Sequence, residues 1–175
     1  MEGVTDAPMR AFLTELGGFS YCVSEFYRIS QDVPSSRSFP SHIPELRTDA
    51  RTRAGTPVQV QLLGGNPERL AAAAINGVEA GARAIDLNFG CPARTVNQHD
   101  GGASLLQHPG RIEAIVRAVR SALPREIPVS AKLRLGPGLT NLQFPTGDDS
   151  TVHGTPSPWT PVSCAEKFLA FPPAH

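Results

Sequence analysis

The stretch Asp86-Leu87-Asn88-Phe89-Gly90-Cys91-Pro92-Ala93-Arg94-Thr95-Val96 reads as a short apolar strand, Ala84 to Leu87, running into an Asn, a Gly and a Cys-Pro turn. A polar loop follows and ends in Gly101-Gly102-Ala103-Ser104-Leu105-Leu106, just ahead of a new helical pattern. A cysteine at the mouth of a strand-to-helix connection is placed to touch a ligand, because α/β sheets and barrels bind ligands at the carboxyl ends of their strands. A free cysteine is otherwise a small buried hydrophobe. Gly90 and Pro92 impose a defined turn on either side of Cys91, and the residues after it are too polar to close a core over it. The residues alone leave both readings of Cys91 open.

Outward from this stretch, strand and helix patterns alternate. Thr5 to Leu16 reads as a helix, with Thr5 or Asp6 as cap, Pro8 in its first turn and Gly17-Gly18 as its stop. Met9, Phe12, Leu13 and Leu16 fall at i, i+3, i+4 and i+7, the spacing of one apolar face. Phe19 to Phe26 reads as a strand. The Ser-, Pro- and Arg-rich segment from Ile29 to Arg53 has no clear period and is expected to be an irregular connection. Val58 to Leu63 is a strand, and Asn66-Pro67 caps and opens a helix that runs to about Ala80 before Gly81. His108-Pro109 opens another helix, with Ile112, Ile115, Val116, Val119 and Leu123 as its stripe and Pro124 as its end. Val129 to Leu135 is the next strand. Strands alternating with helices of this length predict an α/β fold of βα units around a parallel sheet.

Five ordered motifs carry a resemblance. Asn88-Phe-Gly-Cys-Pro-Ala-Arg-Thr-Val-Asn97 with Gly101-Gly-Ala-Ser-Leu-Leu106 resembles the active-site segment of the tRNA-dihydrouridine synthases, and the wording is most similar to the bacterial C-type branch. Met1-Glu-Gly-Val-Thr-Asp6 resembles the segment after that family's first barrel strand. Ser24-Glu-Phe26 resembles the end of the second strand, Val58 to Gly64 the third, and Val129-Ser-Ala-Lys-Leu-Arg-Leu-Gly136 the fifth. The resemblance implies an incomplete TIM (β/α)8 barrel, about strands 2 to 5 of the family fold, since a complete barrel needs ~250 residues and only residues 1–136 of the 175 carry the motifs.

It also implies FMN-dependent, NADPH-driven reduction of uridine to dihydrouridine in tRNA, an oxidoreductase activity. Cys91 matches the cysteine that protonates one carbon of the uracil double bond while hydride reaches the other. Thiols titrate near ~8.5 and hold their proton at neutrality, as a general acid must. Gly101 and Gly102 are expected to let the loop after Cys91 close over a bound uridine. His99 is the nearest base in sequence if Cys91 were a nucleophile instead. By the same match Lys132 contacts the flavin ring, where a fixed cation favours negative charge on the reduced cofactor. On pattern alone Lys132, with Ser130 and Arg134, is the wet face of an amphipathic strand. Gln61 matches an amide that hydrogen-bonds the flavin edge, and Asn88 a residue near flavin and substrate; their plain readings are a solvated strand end and a turn-stabilising Asx residue. Met1 and Glu2 match the family's flavin-contacting segment. Glu25 receives no role.

Composition adds limits. Sixteen basic and 16 acidic side chains balance to a net charge of zero, so no basic surplus announces a nucleic-acid binder. Three widely spaced cysteines, Cys22, Cys91 and Cys164, with no CxxC pair suggest a reducing compartment and neither a disulfide framework nor a metal site. No apolar run suits a membrane span and no signal segment opens the chain, so a cytoplasmic protein is expected. Pro137 to His175 holds seven of the 17 prolines and no apolar period; it reads as a disordered or frameshifted tail. Nothing in it resembles the phosphate-binding loops that follow strands 7 and 8 of flavin barrels. The division is therefore 1–136, a partial flavin-binding barrel, and 137–175, a tail, with little or no activity expected of the chain as it stands. Two alternatives are a flavin dehydrogenase of free pyrimidines and a non-catalytic fragment that pairs through its open barrel edges.

Overall fold

The computed structural model describes residues 5–97 and 101–134. In order they form α1 (Ala7–Glu15), β1 (Cys22–Val23), β2 (Tyr27–Arg28), a short helical turn α2 (Phe39–His42), β3 (Val58–Leu63), α3 (Pro67–Glu79), β4 (Ile85–Asn88), a turn α4 (Arg94–Asn97), α5 (Pro109–Ala122) and β5 (Val129–Lys132). Every ladder between these strands is parallel. The order is β1-β3-β4-β5, with β2 also on β3. The result is an α/β fold with an open parallel sheet, as the alternating pattern predicts. Its outward alternation (Val58, Val60, Leu62, Ile85 and Leu87) is buried. The apolar stripes of α3 and α5, among them Leu70, Ala73, Ile112, Ile115 and Val119, are buried as well.

The helix limits follow local chemistry. The Asn66 side chain accepts the Arg69 N–H at 2.8 Å and Pro67 is the first helical residue of α3, a cap of about 1 kcal/mol. Gly81, at φ +108°, takes the chain out of the helix end in a conformation that side chains disfavour.

Four expectations are corrected. The strand expected over Phe19 to Phe26 is two short pieces. Cys22 and Val23 pair with Val58 and Gln59, whereas Tyr27 and Arg28 pair with Leu62 and Leu63. The shift from an offset of 36 to one of 35 means that the β1–β2 side carries one extra residue, which is a bulge. Ser24 fills the gap by accepting the Gln61 backbone N–H on its Oγ at 3.1 Å. The strand expected to reach Leu135 ends as β5 at Lys132.

The segment from Ile29 to Arg53 is not a loose connection. It makes three short helical turns (Ser36–Ser38, Phe39–His42 and Pro44–Thr48) and buries Phe39, Ile43, Leu46 and Ala50. The Phe39 ring lies over Gly77 of α3, where a Cβ would sit 3.5 Å from it. Turns of three to five residues are too short to repeat a 3.6-residue period, so no stripe marks them in the sequence.

The last correction concerns α1. Its apolar residues face out: Phe12 is 59% and Leu16 70% exposed, and Met9 and Leu13 are also exposed. Arg10 and Thr14 are the buried ones. Arg10 forms a bidentate pair with Glu45, Nε and Nη2 each 2.8 Å from a carboxylate oxygen, and Thr14 Oγ1 lies 2.9 Å from Thr52 Oγ1. A guanidinium cannot be buried without such a partner, so the pair with Glu45 determines which side of α1 meets the body.

Candidate active site

The inward alternation of the sheet is polar. Gln61, Asp86 and Ser130 are register partners across β3, β4 and β5, and one step further along Asn88 partners Lys132. Partners in a ladder share a face, so these five side chains point to one side at the carboxyl ends of the strands. They border a cleft of about 880 Å³ together with Cys91, Cys22 and Phe26, within the range of small-molecule sites.

Inside the cleft a chain of hydrogen bonds crosses three strands. Ser130 Oγ donates to Asp86 Oδ1 at 2.6 Å. Gln61 Nε2 donates to Asp86 Oδ2 at 2.7 Å, and Asn88 Nδ2 donates to Gln61 Oε1 at 2.9 Å. Asn88 Oδ1 then accepts the backbone N–H of Gly90 at 2.9 Å, the residue before Cys91. Gln61, Asp86 and Asn88 are all buried. Asn88 thus makes the Asx turn of its plain reading and also belongs to the site.

Cys91 is half-buried on that turn and lines the cleft. Its carbonyl accepts the Ala103 N–H at 2.9 Å. Gly102, at φ +64°, brings the returning chain so close that a Cβ would sit 2.7 Å from the Cys91 oxygen. Gly102 is thus a packed contact that seats the cysteine turn. Arg28, exposed at the end of β2, fastens the same loop by donating to the Thr95 carbonyl at 2.9 Å. Lys132 is exposed because β5 is the edge of the described sheet, and among the described residues its ammonium has no ion pair. Cys22, also half-buried, lies within the fields of Arg10 and Glu45; burial pushes its thiol above the ordinary range, only partly offset by the Arg10 charge.

Of the residues singled out in the sequence, Gln61, Asn88, Cys91 and Lys132 therefore border one cleft. Met1, Glu2, His99 and the segment after Arg134 lie outside the described residues. Sequence reasoning passed over Asp86, Ser24, Ser130 and Arg28. Asp86 had a signal: a carboxylate between Ile85 and Leu87, on the alternation of Asn88. Ser24 and Arg28 act through a bulge and a loop contact that no pattern announces.

The arrangement can hold a flat, acceptor-bearing ring. Gln61 and Asn88 each spend one amide hydrogen inside the network, and among the described residues the second has no protein partner, leaving two donors for ring carbonyl or nitrogen atoms. Lys132 adds positive charge beside them. These residues fit an edge of FMN. Among the described residues no group of His, Cys, Asp and Glu could hold a metal ion, and no helix is long and apolar enough to cross a membrane.

Residues 1–142 match the family model described as Dihydrouridine synthase (Dus). Among curated proteins the chain is 52% identical over 136 residues to a tRNA-dihydrouridine(16) synthase of Vibrio parahaemolyticus, covering 78% of this chain and 42% of that protein. It is 51% identical over 136 residues to one of Aquipseudomonas alcaligenes (78% and 43%). It is 49% identical over 136 residues to one of Neisseria meningitidis serogroup A (78% and 41%). The chain spans less than half the length of these relatives.

Proposed function

The chain belongs to the dihydrouridine synthase family, and from that premise we propose that residues 1–136 are the part of a tRNA-dihydrouridine synthase barrel, about strands 2 to 5, that carries the proton donor and grips the flavin ring. The observation that supports this most is the meeting of Cys91, Asn88, Gln61 and Lys132 at one cleft from three separate strands. The names of the relatives favour uridine 16 of tRNA as the target.

The chemistry FMN supplies when bound is hydride delivery, with NADPH as the electron source. The side chains of this chain do the rest. Gln61 and Asn88 donate to the ring edge and orient it. Lys132 stabilises negative charge at the ring without moving. Cys91 Sγ gives its proton to the uracil carbon that does not receive hydride and regains one from water in the open cleft. In sum, uridine, NADPH and a proton become dihydrouridine and NADP+.

We also propose that the 175-residue chain alone turns over little or no tRNA. The edges at β1–β2 and β5, which pair with no further strand among the described residues, support this. The exposed stripe of α1 favours a second reading, a non-catalytic fragment that pairs through those edges. FMN titration of the chain followed by flavin fluorescence, then an assay for dihydrouridine in unmodified tRNA with NADPH, tests both. Saturable binding that survives Cys91→Ala and weakens in Lys132→Ala and Gln61→Ala supports the flavin site. Binding indifferent to both substitutions overturns it, whereas reduction of free uracil or orotate in place of tRNA keeps the flavin site and overturns tRNA as the substrate. Turnover of tRNA overturns the inactivity, and a stable complex without flavin binding favours the fragment.

A further inference from the structure

Asp86 is buried, yet no cation pairs with it among the described residues. Its carboxylate is held by two neutral donors, Ser130 Oγ at 2.6 Å and Gln61 Nε2 at 2.7 Å. A buried carboxylate without an ion partner is an expensive way to fill space. A leucine like its neighbour Leu87 would pack the same strand at lower cost. Neither the family match nor the sequence motif reading gives this residue a task.

Ser130 Oγ has a second acceptor, Gln59 Oε1 at 3.1 Å, so the part of the network that hangs on Asp86 runs from Gln61 onward; we propose that Asp86 is a positioning residue that fixes the direction of the hydrogen bonds from Gln61 to the Cys91 turn, and so decides which atoms the cleft presents to its ligand. This rests on the flavin-site reading for the ligand, but not for the turn. Amide side chains are ambivalent, because either end can face a neighbour, whereas an ionised carboxylate only accepts. Facing Asp86, Gln61 must turn its NH2 towards the carboxylate and its Oε1 towards Asn88. Asn88 must then answer with its NH2, at 2.9 Å. That leaves Asn88 Oδ1 for the Gly90 N–H, also at 2.9 Å. With Asp86 as the acceptor at its root, the network has one low-energy polarity. Without it, both amides can flip, the Gly90 N–H loses its acceptor, and the cleft can offer carbonyl oxygens where it now offers N–H groups. Such a flip would repel a ring edge made of carbonyl and imine acceptors.

Two variants separate polarity from packing. Asp86→Asn keeps the shape and removes the one-way acceptor. The double variant Asp86→Asn with Gln61→Glu moves the acceptor one strand over. Asn88 then again donates to residue 61 and offers its oxygen to Gly90, but the donor that residue 61 gives the ligand is gone. The readouts are amide hydrogen exchange at Gly90, site-resolved alkylation of Cys91 against Cys22 in the same sample, and FMN affinity.

In Asp86→Asn, Gly90 exchange is expected to quicken about tenfold, the equivalent of about 1.4 kcal/mol, and the ratio of Cys91 to Cys22 alkylation to change with it. In the double variant Gly90 protection and the alkylation ratio return to the parent values while FMN affinity stays low. Recovery of the turn without recovery of affinity is a split that a packing role cannot produce. Unchanged Gly90 exchange in Asp86→Asn overturns the proposal. So does a folded double variant whose Gly90 stays unprotected, which decides the matter even if the single variant does not fold. If the parent chain binds no FMN, the flavin-site reading fails, and the Gly90 and alkylation readouts still judge Asp86.

Discussion

Helices α1 and α3 begin alike and end up with opposite sides buried. Each has a capping side chain that accepts the N–H three residues on, Asp6 to Met9 at 2.9 Å and Asn66 to Arg69 at 2.8 Å. Each has a proline in its first turn and an apolar stripe at helical spacing. Helix α3 buries that stripe (Leu70, Ala73, Ala74 and Gly77). Helix α1 buries Arg10 and Thr14 and turns Met9, Phe12, Leu13 and Leu16 to solvent. An apolar stripe says that a helix has an apolar side, not which surface receives it. Beside α3 the ladder continues in both directions. Beside α1 the described sheet ends at β1 and β2, and the buried Arg10–Glu45 pair holds the helix by its polar side.

The largest expected effect follows from removing that hold. Arg10→Met leaves Glu45 buried without its partner and should lower stability by about 3–5 kcal/mol, whereas adding Glu45→Leu should recover most of it. Urea unfolding of the single and double variants checks this, and equal losses in the two would show that α1 is not anchored by the pair. Next comes the contrast of stripes. Leu70→Ala in α3 should cost about 2–5 kcal/mol, while Leu16→Ser in α1 should stay within about 0.5 kcal/mol. A Leu16→Ser cost near that of Leu70→Ala would mean that something covers α1 in solution, and a concentration-dependent melting curve would identify it as another copy of the chain.

The caps should not differ between the helices, because they act locally. Asp6→Ala and Asn66→Ala should each cost about 1 kcal/mol, and calorimetry showing one much larger would place tertiary contacts in that cap. The smallest effect is a slope with pH. Folding raises the Cys22 thiol above its ordinary range, so the folded state holds that proton more tightly than the unfolded chain. The stability this brings is full below the unfolded value, about 8.5 for a thiol, and fades as pH rises through the folded value. Cys22→Ser should flatten the alkaline side of the stability curve, and an unchanged slope would remove burial as the cause.

Much of the site is legible in the sequence because its parts sit at strand ends with a fixed alternation of two. Gln61 and Lys132 share the inward face for that reason, and the Asn88-to-Cys91 turn is written in consecutive residues. Gly102 was legible as a glycine but not as a contact, since its closeness to Cys91 depends on how the loop returns. Phe39 and Ile43 were lost to the reading because one-turn helices carry no period. Arg10 was lost because a charged residue on a short helix reads as solvated until its partner, 35 residues away, is known.

The alternation of strands and helices, the caps and stops, the family and a short list of candidate site residues are all written in the sequence. These depend on neighbours within a few residues, or on a motif order that spacing preserves. Which side of α1 is buried, where the bulge at Ser24 falls, and that Asp86 accepts from both Gln61 and Ser130 emerge only from the folded chain. Those outcomes depend on pairs far apart in the chain, whose cost or gain exists only once water has been excluded between them.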